Sequence, residues 1–99
     1  MSLFTIVLEH RGTSAVQQVS APNAKAALAK WAKEFDYEGV LGISNKVGGQ
    51  LARDLSKATP IPVRRTKNVW GLTALAHGQM ALVRLIETAD GRSARSMSL

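Results

Sequence analysis

LFTIVLEHRG, residues 3–12, is the stretch that decides the fold. Its side chains alternate between two faces, with Phe4, Ile6 and Leu8 on one and Thr5, Val7 and Glu9 on the other. A period of two predicts a β-strand, and Arg11-Gly12 predicts a tight reversal because glycine tolerates the positive φ of two-residue hairpin turns. Residues 13–20 predict a second, more polar strand, in which Val16 and Val19 fall on opposite faces unless a β-bulge shifts one of them. We therefore expect the chain to open with a β-hairpin.

Two helices are predicted after this hairpin. Asn23 is a good N-cap for a helix over residues 24–35, because its side chain accepts from free N–H groups of the first turn. The apolar stripe of that helix consists of Ala24, Ala27, Leu28, Trp31, Ala32 and Phe35. Residues 36–42 are interpreted as a loop. Ser44 then caps a second helix, residues 45–57, whose apolar positions are Val47, Leu51 and Leu55.

The second half of the chain predicts another hairpin. Two prolines keep residues 59–63 extended. Strands over residues 69–76 and 79–88 flank a turn at His77-Gly78, and the last strand is apolar on both faces, which is typical of a central strand. The order ββααββ predicts an α+β fold in which one four-stranded antiparallel sheet has helices on one face. We expect residues 1–89 to form a single domain and residues 90–99 a flexible tail.

Two helices can cover only one face of such a sheet. The other face is then expected to expose Val7 and one side of the last strand, with Trp70 as a further candidate. An exposed apolar patch of that extent on a small domain usually marks an interaction surface. The sequence therefore predicts a homodimer formed sheet to sheet.

The composition speaks against most catalytic and cofactor chemistry. No cysteine is present, which removes disulfides, thiolate zinc ligands and cysteine nucleophiles. Neither a G-x-G-x-x-G nor a Gly-Lys-Ser/Thr step occurs. His10 and His77 are the two histidines, and we interpret both as solvated turn residues, although they could ligate a metal with Glu9 or Asp36 if the hairpin ends met. We predict no catalytic residue, no metal and no cofactor, and expect the chain not to be an enzyme.

The apolar runs of the sequence predict the cellular location of the chain, because signal peptides and membrane helices both need long apolar segments. The apolar start ends at Glu9 and has no basic n-region, so a signal peptide is not expected. No run approaches the roughly 18–20 apolar residues that a membrane helix needs. We expect a cytoplasmic protein without a membrane partner.

Positive charge is concentrated in residues 44–67. This basic segment holds six basic residues against one acid, Asp54, and therefore +5 of the net +6. Its basic members are Lys46, Arg53, Lys57, Arg64, Arg65 and Lys67. Nucleic acid is the partner that such a footprint favours, with Trp70 as a stacking platform and the Arg64–Lys67 stretch extended along a phosphate backbone. The alternative interpretation is a solvated helix face that binds nothing.

Residues 3–35 resemble a known family. Two strands closed by a short turn, followed by an alanine-rich helix with Ala26-Ala27-Leu28 after its cap, resemble the opening of HicB-type antitoxins. The resemblance implies a partial RNase-H-like ββα unit that binds a small toxin partner, combined with a C-terminal DNA-binding element. This chain departs from that pattern after the helices, where another hairpin follows. The whole chain also looks like small bacterial proteins of the same ββ-α-ββ order.

These observations lead to two competing functions. The first is a non-catalytic protein-interaction module, formed as a homodimer, with the basic segment as a candidate contact. The alternative is a nucleic-acid-binding protein that uses the basic segment. The two differ in physical signature, because phosphate contacts weaken steeply with salt whereas an apolar sheet contact does not.

Overall fold

The computed structural model describes residues 1–76 and 78–88, which form one antiparallel sheet and three helices. In chain order the elements are β1 (Ser2–His10), β2 (Thr13–Ala21), α1 (Ala24–Glu34), α2 (Tyr37–Leu41), α3 (Asn45–Lys57), β3 (Ile61–Pro62), β4 (Val69–Ala76) and β5 (Gln79–Thr88). The strands lie in the order β2-β1-β5-β4-β3. The predicted α+β class with a single antiparallel sheet is confirmed. Its finer form is wrong, because these residues form five strands and an additional short helix. The predicted tail and His77 lie outside the described residues.

The N-terminal hairpin forms as its alternation predicts. Arg11 and Gly12 take φ values of 51° and 80°, the positive values that a two-residue turn between twisted strands requires. β1 and β2 then pair in continuous register from Ser2↔Ala21 to His10↔Thr13. The β-bulge considered for β2 therefore does not occur. Val16 and Val19 simply lie on opposite faces of the sheet.

The core lies between the sheet and the helices. Phe4, Ile6 and Leu8 of β1 are buried together with Ala81, Val83 and Leu85 of β5. The helices and the residues that end them contribute the other large buried side chains, which are Leu28, Trp31, Phe35, Tyr37, Leu51 and Leu55. α1 packs against α3 and over β2, whereas α3 packs over β4. All of these side chains lie on one face of the sheet, which we call the helix face.

Side-chain caps start the two long helices where the sequence predicts. Asn23 Oδ1 accepts the Ala26 N–H at 2.8 Å, and Ser44 Oγ accepts the Val47 N–H at 3.2 Å. At the far end of α3, Lys25 Nζ donates to the Ala58 carbonyl at 3.2 Å. This bond joins the start of α1 to the end of α3. No helix in the described ranges is long and apolar enough to cross a membrane.

The expected loop over residues 36–42 contains the one-turn helix α2. Asp36 caps it by accepting the Gly39 N–H, and Gly42 ends it with φ 69°. A helix of five residues is too short to show a periodic apolar pattern, so periodicity cannot predict it. Tyr37 is buried and donates from its hydroxyl to the Ala32 carbonyl at 2.7 Å, which ties α2 to α1.

The predicted extended course of Arg64–Lys67 is also wrong. β3 contributes two residues beside β4, and a turn closed by the Thr66 N–H on the Val63 carbonyl follows it. Arg64 and Arg65 occupy the centre of this turn, and Arg65 has φ 63°. The hydrogen bond between Val63 and Thr66 closes a turn. The chain therefore reverses its direction in a stretch for which the sequence had predicted an extended backbone.

Candidate functional site

The sheet face opposite the helices is the first candidate surface, and we call it the open face. Strand alternation and register assign to it Leu3, Thr5, Val7 and Glu9 of β1, Ser14, Val16, Gln18 and Ser20 of β2, Val69, Gly71, Thr73 and Leu75 of β4, and Met80, Leu82, Arg84, Ile86 and Thr88 of β5. Ile61 of β3 joins it beside Gly71. No described helix packs on this face. Val7 and one side of β5 therefore lie on the uncovered face, as the sequence predicts.

Exposed apolar side chains concentrate on the open face. In the described residues, seven large apolar side chains are exposed, and five of them lie on this face or on its β3 edge. The five are Val16, Ile61, Val63, Leu75 and Met80, each between 39% and 66% exposed. Val7, Leu82 and Ile86 lie among them and are partly exposed. The face is thus mostly apolar on β1, β3, β4 and β5, whereas β2 presents Val16 among polar side chains, which are Ser14, Gln18 and Ser20.

Among residues 1–76 and 78–88, one ion pair lies near the middle of the open face. Arg84 Nη1 is 3.5 Å from Glu9 Oε1, and both side chains are about half exposed, at 50% and 48%. Beside Arg84, Gly71 has no side chain and leaves a recess of about 400 Å³ between Ile61 and Leu82. The face therefore carries one charge of each sign and a hollow, in a surface that is otherwise apolar or uncharged.

The basic segment is the second candidate surface, and all six of its predicted basic residues are exposed. Within α3, Arg53 Nη2 donates to Gln50 Oε1 at 3.1 Å, and Gln50 in turn donates to Asp54. Lys46 and Lys57 stand near opposite ends of the helix, about 16 Å apart along its axis. Arg64, Arg65 and Lys67 follow in the β3–β4 connection. The structure places these charges along one helix and one turn. Lys46 and Arg53 line a groove of about 500 Å³ between α3 and Leu75, and the other four basic residues do not line it.

Trp70 does not lie where the stacking hypothesis needs it. It lies on the helix face, where its ring packs 5.8 Å from Phe4 at an interplanar angle of 56°. β4 is apolar at both odd and even positions, so the sequence could not decide which way Trp70 points. Its partial burial against the core leaves less of the ring for a base.

His10 is buried, contrary to its interpretation as a solvated turn residue. It is 3% exposed, and among the described residues its Nε2 has no hydrogen-bond partner. The signal that could have placed it is its parity, because His10 falls on the same side of β1 as Phe4, Ile6 and Leu8. In the described part of the chain, no three His, Cys, Asp or Glu residues come close enough together to hold a metal.

Comparison with known proteins finds no match among protein families, curated proteins or solved structures. The resemblance of residues 3–35 to HicB-type antitoxins therefore stays a prediction.

Proposed function

We propose that this chain is a non-catalytic protein-interaction module that acts as a homodimer, with the open face as the surface between the two copies. The observation that supports this proposal is the concentration of exposed apolar side chains on a sheet face that no described helix covers. Soluble monomers rarely leave a patch of this extent in water, because burying it is favourable by roughly 25 cal/mol per Å² of apolar surface.

A second copy is the occupant that the charges of the face favour. A two-fold axis brings the same patch of both copies together. If a residue of the first copy contacts a certain residue of the second, the reverse contact also forms. An axis near the middle of the face sets Glu9 of one copy against Arg84 of the other, and the reverse. The Glu9–Arg84 pair of one chain would then join the same pair of the other chain in a network of four charges that alternate in sign.

The dimensions of the face suit a dimer as well. Its four long strands have 8–10 residues each. At about 4.8 Å between strands and 3.3 Å per residue they span about 550 Å². Two such faces bury about 1,100 Å², which lies at the lower end of specific protein interfaces. An interface of this size is large enough for a specific dimer.

Sedimentation velocity tests this proposal with two matched variants. We expect the wild-type chain to sediment at twice its 10.6 kDa mass and Val7→Asp to sediment as a monomer. Val40→Asp is the control, because Val40 is 41% exposed on α2 and outside the open face. It should remain dimeric, and the wild-type dimer should persist at high salt. A monomeric wild-type chain, or a Val7→Asp dimer as tight as the wild type, would refute the proposal.

Nucleic-acid binding is the second candidate function, and the exposure of all six basic residues favours it. Anisotropy of labelled mixed-sequence DNA and RNA tests it at about 50 and 200 mM salt. We expect binding that collapses at the higher salt and is lost in the double variant Arg64→Ala/Arg65→Ala. The double variant Lys30→Ala/Lys33→Ala removes the same charge from α1 and should retain binding. Absence of binding at low salt would make the basic segment a solvated surface.

A further inference from the structure

A cleft of about 230 Å³ opens at the N-terminus of α3, next to the turn of the first hairpin. The polar residues that line it are His10, Arg11, Ser44 and Gln79. Three elements meet here, because β1 ends at His10, α3 begins after Ser44, and β5 begins at Gln79. The open face and the stretch Arg64–Lys67 do not contribute to this cleft.

The buried imidazole of His10 has a ring nitrogen without a hydrogen-bond partner among the described residues. Such buried, unpaired polar atoms destabilise a fold and are rare in folded proteins. His10 is 3% exposed, it lies on the helix face, and its Nε2 has no partner among the described residues. His10 lines the cleft, so its imidazole can donate a ring N–H to a group seated there. A ligand that accepts this hydrogen bond would satisfy the imidazole.

The charge of the cleft selects an anion. The cleft lies at the N-terminus of α3, so the positive end of the helix dipole faces it at Ser44. Arg11 adds the positive charge of its guanidinium group. No carboxylate lines the cleft, since Glu9 points to the open face and pairs with Arg84. Gln79 supplies an amide. The donors approach from three separate elements, which suits a tetrahedral oxyanion with acceptors in several directions better than a planar carboxylate.

We propose that this cleft is a phosphate-binding site in which His10 and Arg11 donate to the phosphate oxygens at the N-terminus of α3. The phosphate is either free or the monoester group of a small molecule, for which the cleft has room beyond the group itself. The site does not depend on the homodimer, because all of its residues belong to one chain.

A nitrogen-15 NMR titration of the full chain tests the site, with sodium phosphate as the probe and sodium chloride at matched ionic strength as the reference. We expect saturating shifts confined to the amides around residues 10–11, 43–47 and 79. A control titration with sodium acetate tests carboxylates and should give no saturating shift. A parallel titration with glycerol 3-phosphate tests phosphate monoesters. If glycerol 3-phosphate binds more tightly than inorganic phosphate, the ligand is a monoester.

Two variants separate binding from folding. Arg11→Gln lies in an exposed turn and should weaken phosphate binding about tenfold, whereas Lys30→Gln removes the same charge from α1 and should change nothing. His10→Phe keeps a ring of similar size, so we expect a melting temperature no lower than wild type and no stabilisation by phosphate. Absence of saturation, acetate shifts equal to those of phosphate, shifts centred on Arg64 and Arg65, or full binding by Arg11→Gln would each overturn the proposal.

Discussion

At the residue scale, Tyr37 couples the stability of the fold to pH. Burial raises the pKa of this hydroxyl well above its usual value of 10.0, because the ionised form would lose its solvation. Tyr37 is the single tyrosine of the chain, and it donates a hydrogen bond to the Ala32 carbonyl. Its ionisation can therefore be followed directly by ultraviolet absorbance.

We predict that the free energy of unfolding falls as pH rises above about 10. There the unfolded chain loses the tyrosine proton that the folded chain still holds, so the slope reaches at most about 1.4 kcal/mol per pH unit. Tyr37→Phe should lose about 1 kcal/mol at neutral pH and show a flatter slope above pH 10. Urea unfolding between pH 7 and 11 measures both. Equal slopes in the two proteins would contradict the assigned burial.

His10 and Trp70 show how far single residues can be placed from sequence. The parity of β1 fixes the face of His10, but its position beside a turn had suggested solvent. For Trp70 no parity argument exists, because β4 has apolar residues at both odd and even positions. Its face is decided by the register with β5, in which Trp70 lies opposite the buried Leu85. That pairing is a long-range property that local patterns do not contain.

At the scale of elements, two adjacent glycines in α3 have opposite roles. A Cβ at Gly48 would lie 2.9 Å from the Tyr37 Cβ, which is closer than packed atoms tolerate. A Cβ at Gly49 would meet only Arg53 Nη1, at 3.7 Å. Gly48 is therefore required for the contact between α2 and α3, whereas Gly49 only weakens the helix.

We predict that Gly49→Ala raises the free energy of unfolding by up to about 1 kcal/mol, through helix propensity. Gly48→Ala should lower it by about 1–3 kcal/mol despite the same gain in propensity, because Tyr37 must move. The urea midpoint of each variant measures the difference. Stabilisation by both substitutions would show that α2 does not pack on α3 as described.

The elements that the sequence predicts are those with a sustained period or a side-chain cap. β1, α1 and α3 follow from alternation, from the apolar stripe and from Asn23 and Ser44. α2 and β3 span five and two residues, too few for any period to appear. They exist because Asp36 caps one and because the turn after Val63 holds the other against β4.

At the scale of the whole molecule, the open face follows from topology. The sequence predicts it because two helices can cover only one side of the sheet, and its residues in β1 and β5 are placed correctly by alternation. The Glu9–Arg84 pair could not be predicted, since it needs the register between β1 and β5. The His10 cleft likewise needs three elements that are distant in sequence.

Isotope-filtered NMR on a mixture of labelled and unlabelled chains shows whether the open face lies between two copies. We predict intermolecular NOEs between methyl groups of the open face, above all those of Val7, Leu82 and Ile86. Val40, on α2, should give none. A dimer without intermolecular contacts from these methyls, or with contacts confined to the outer edge of β2, would contradict the account.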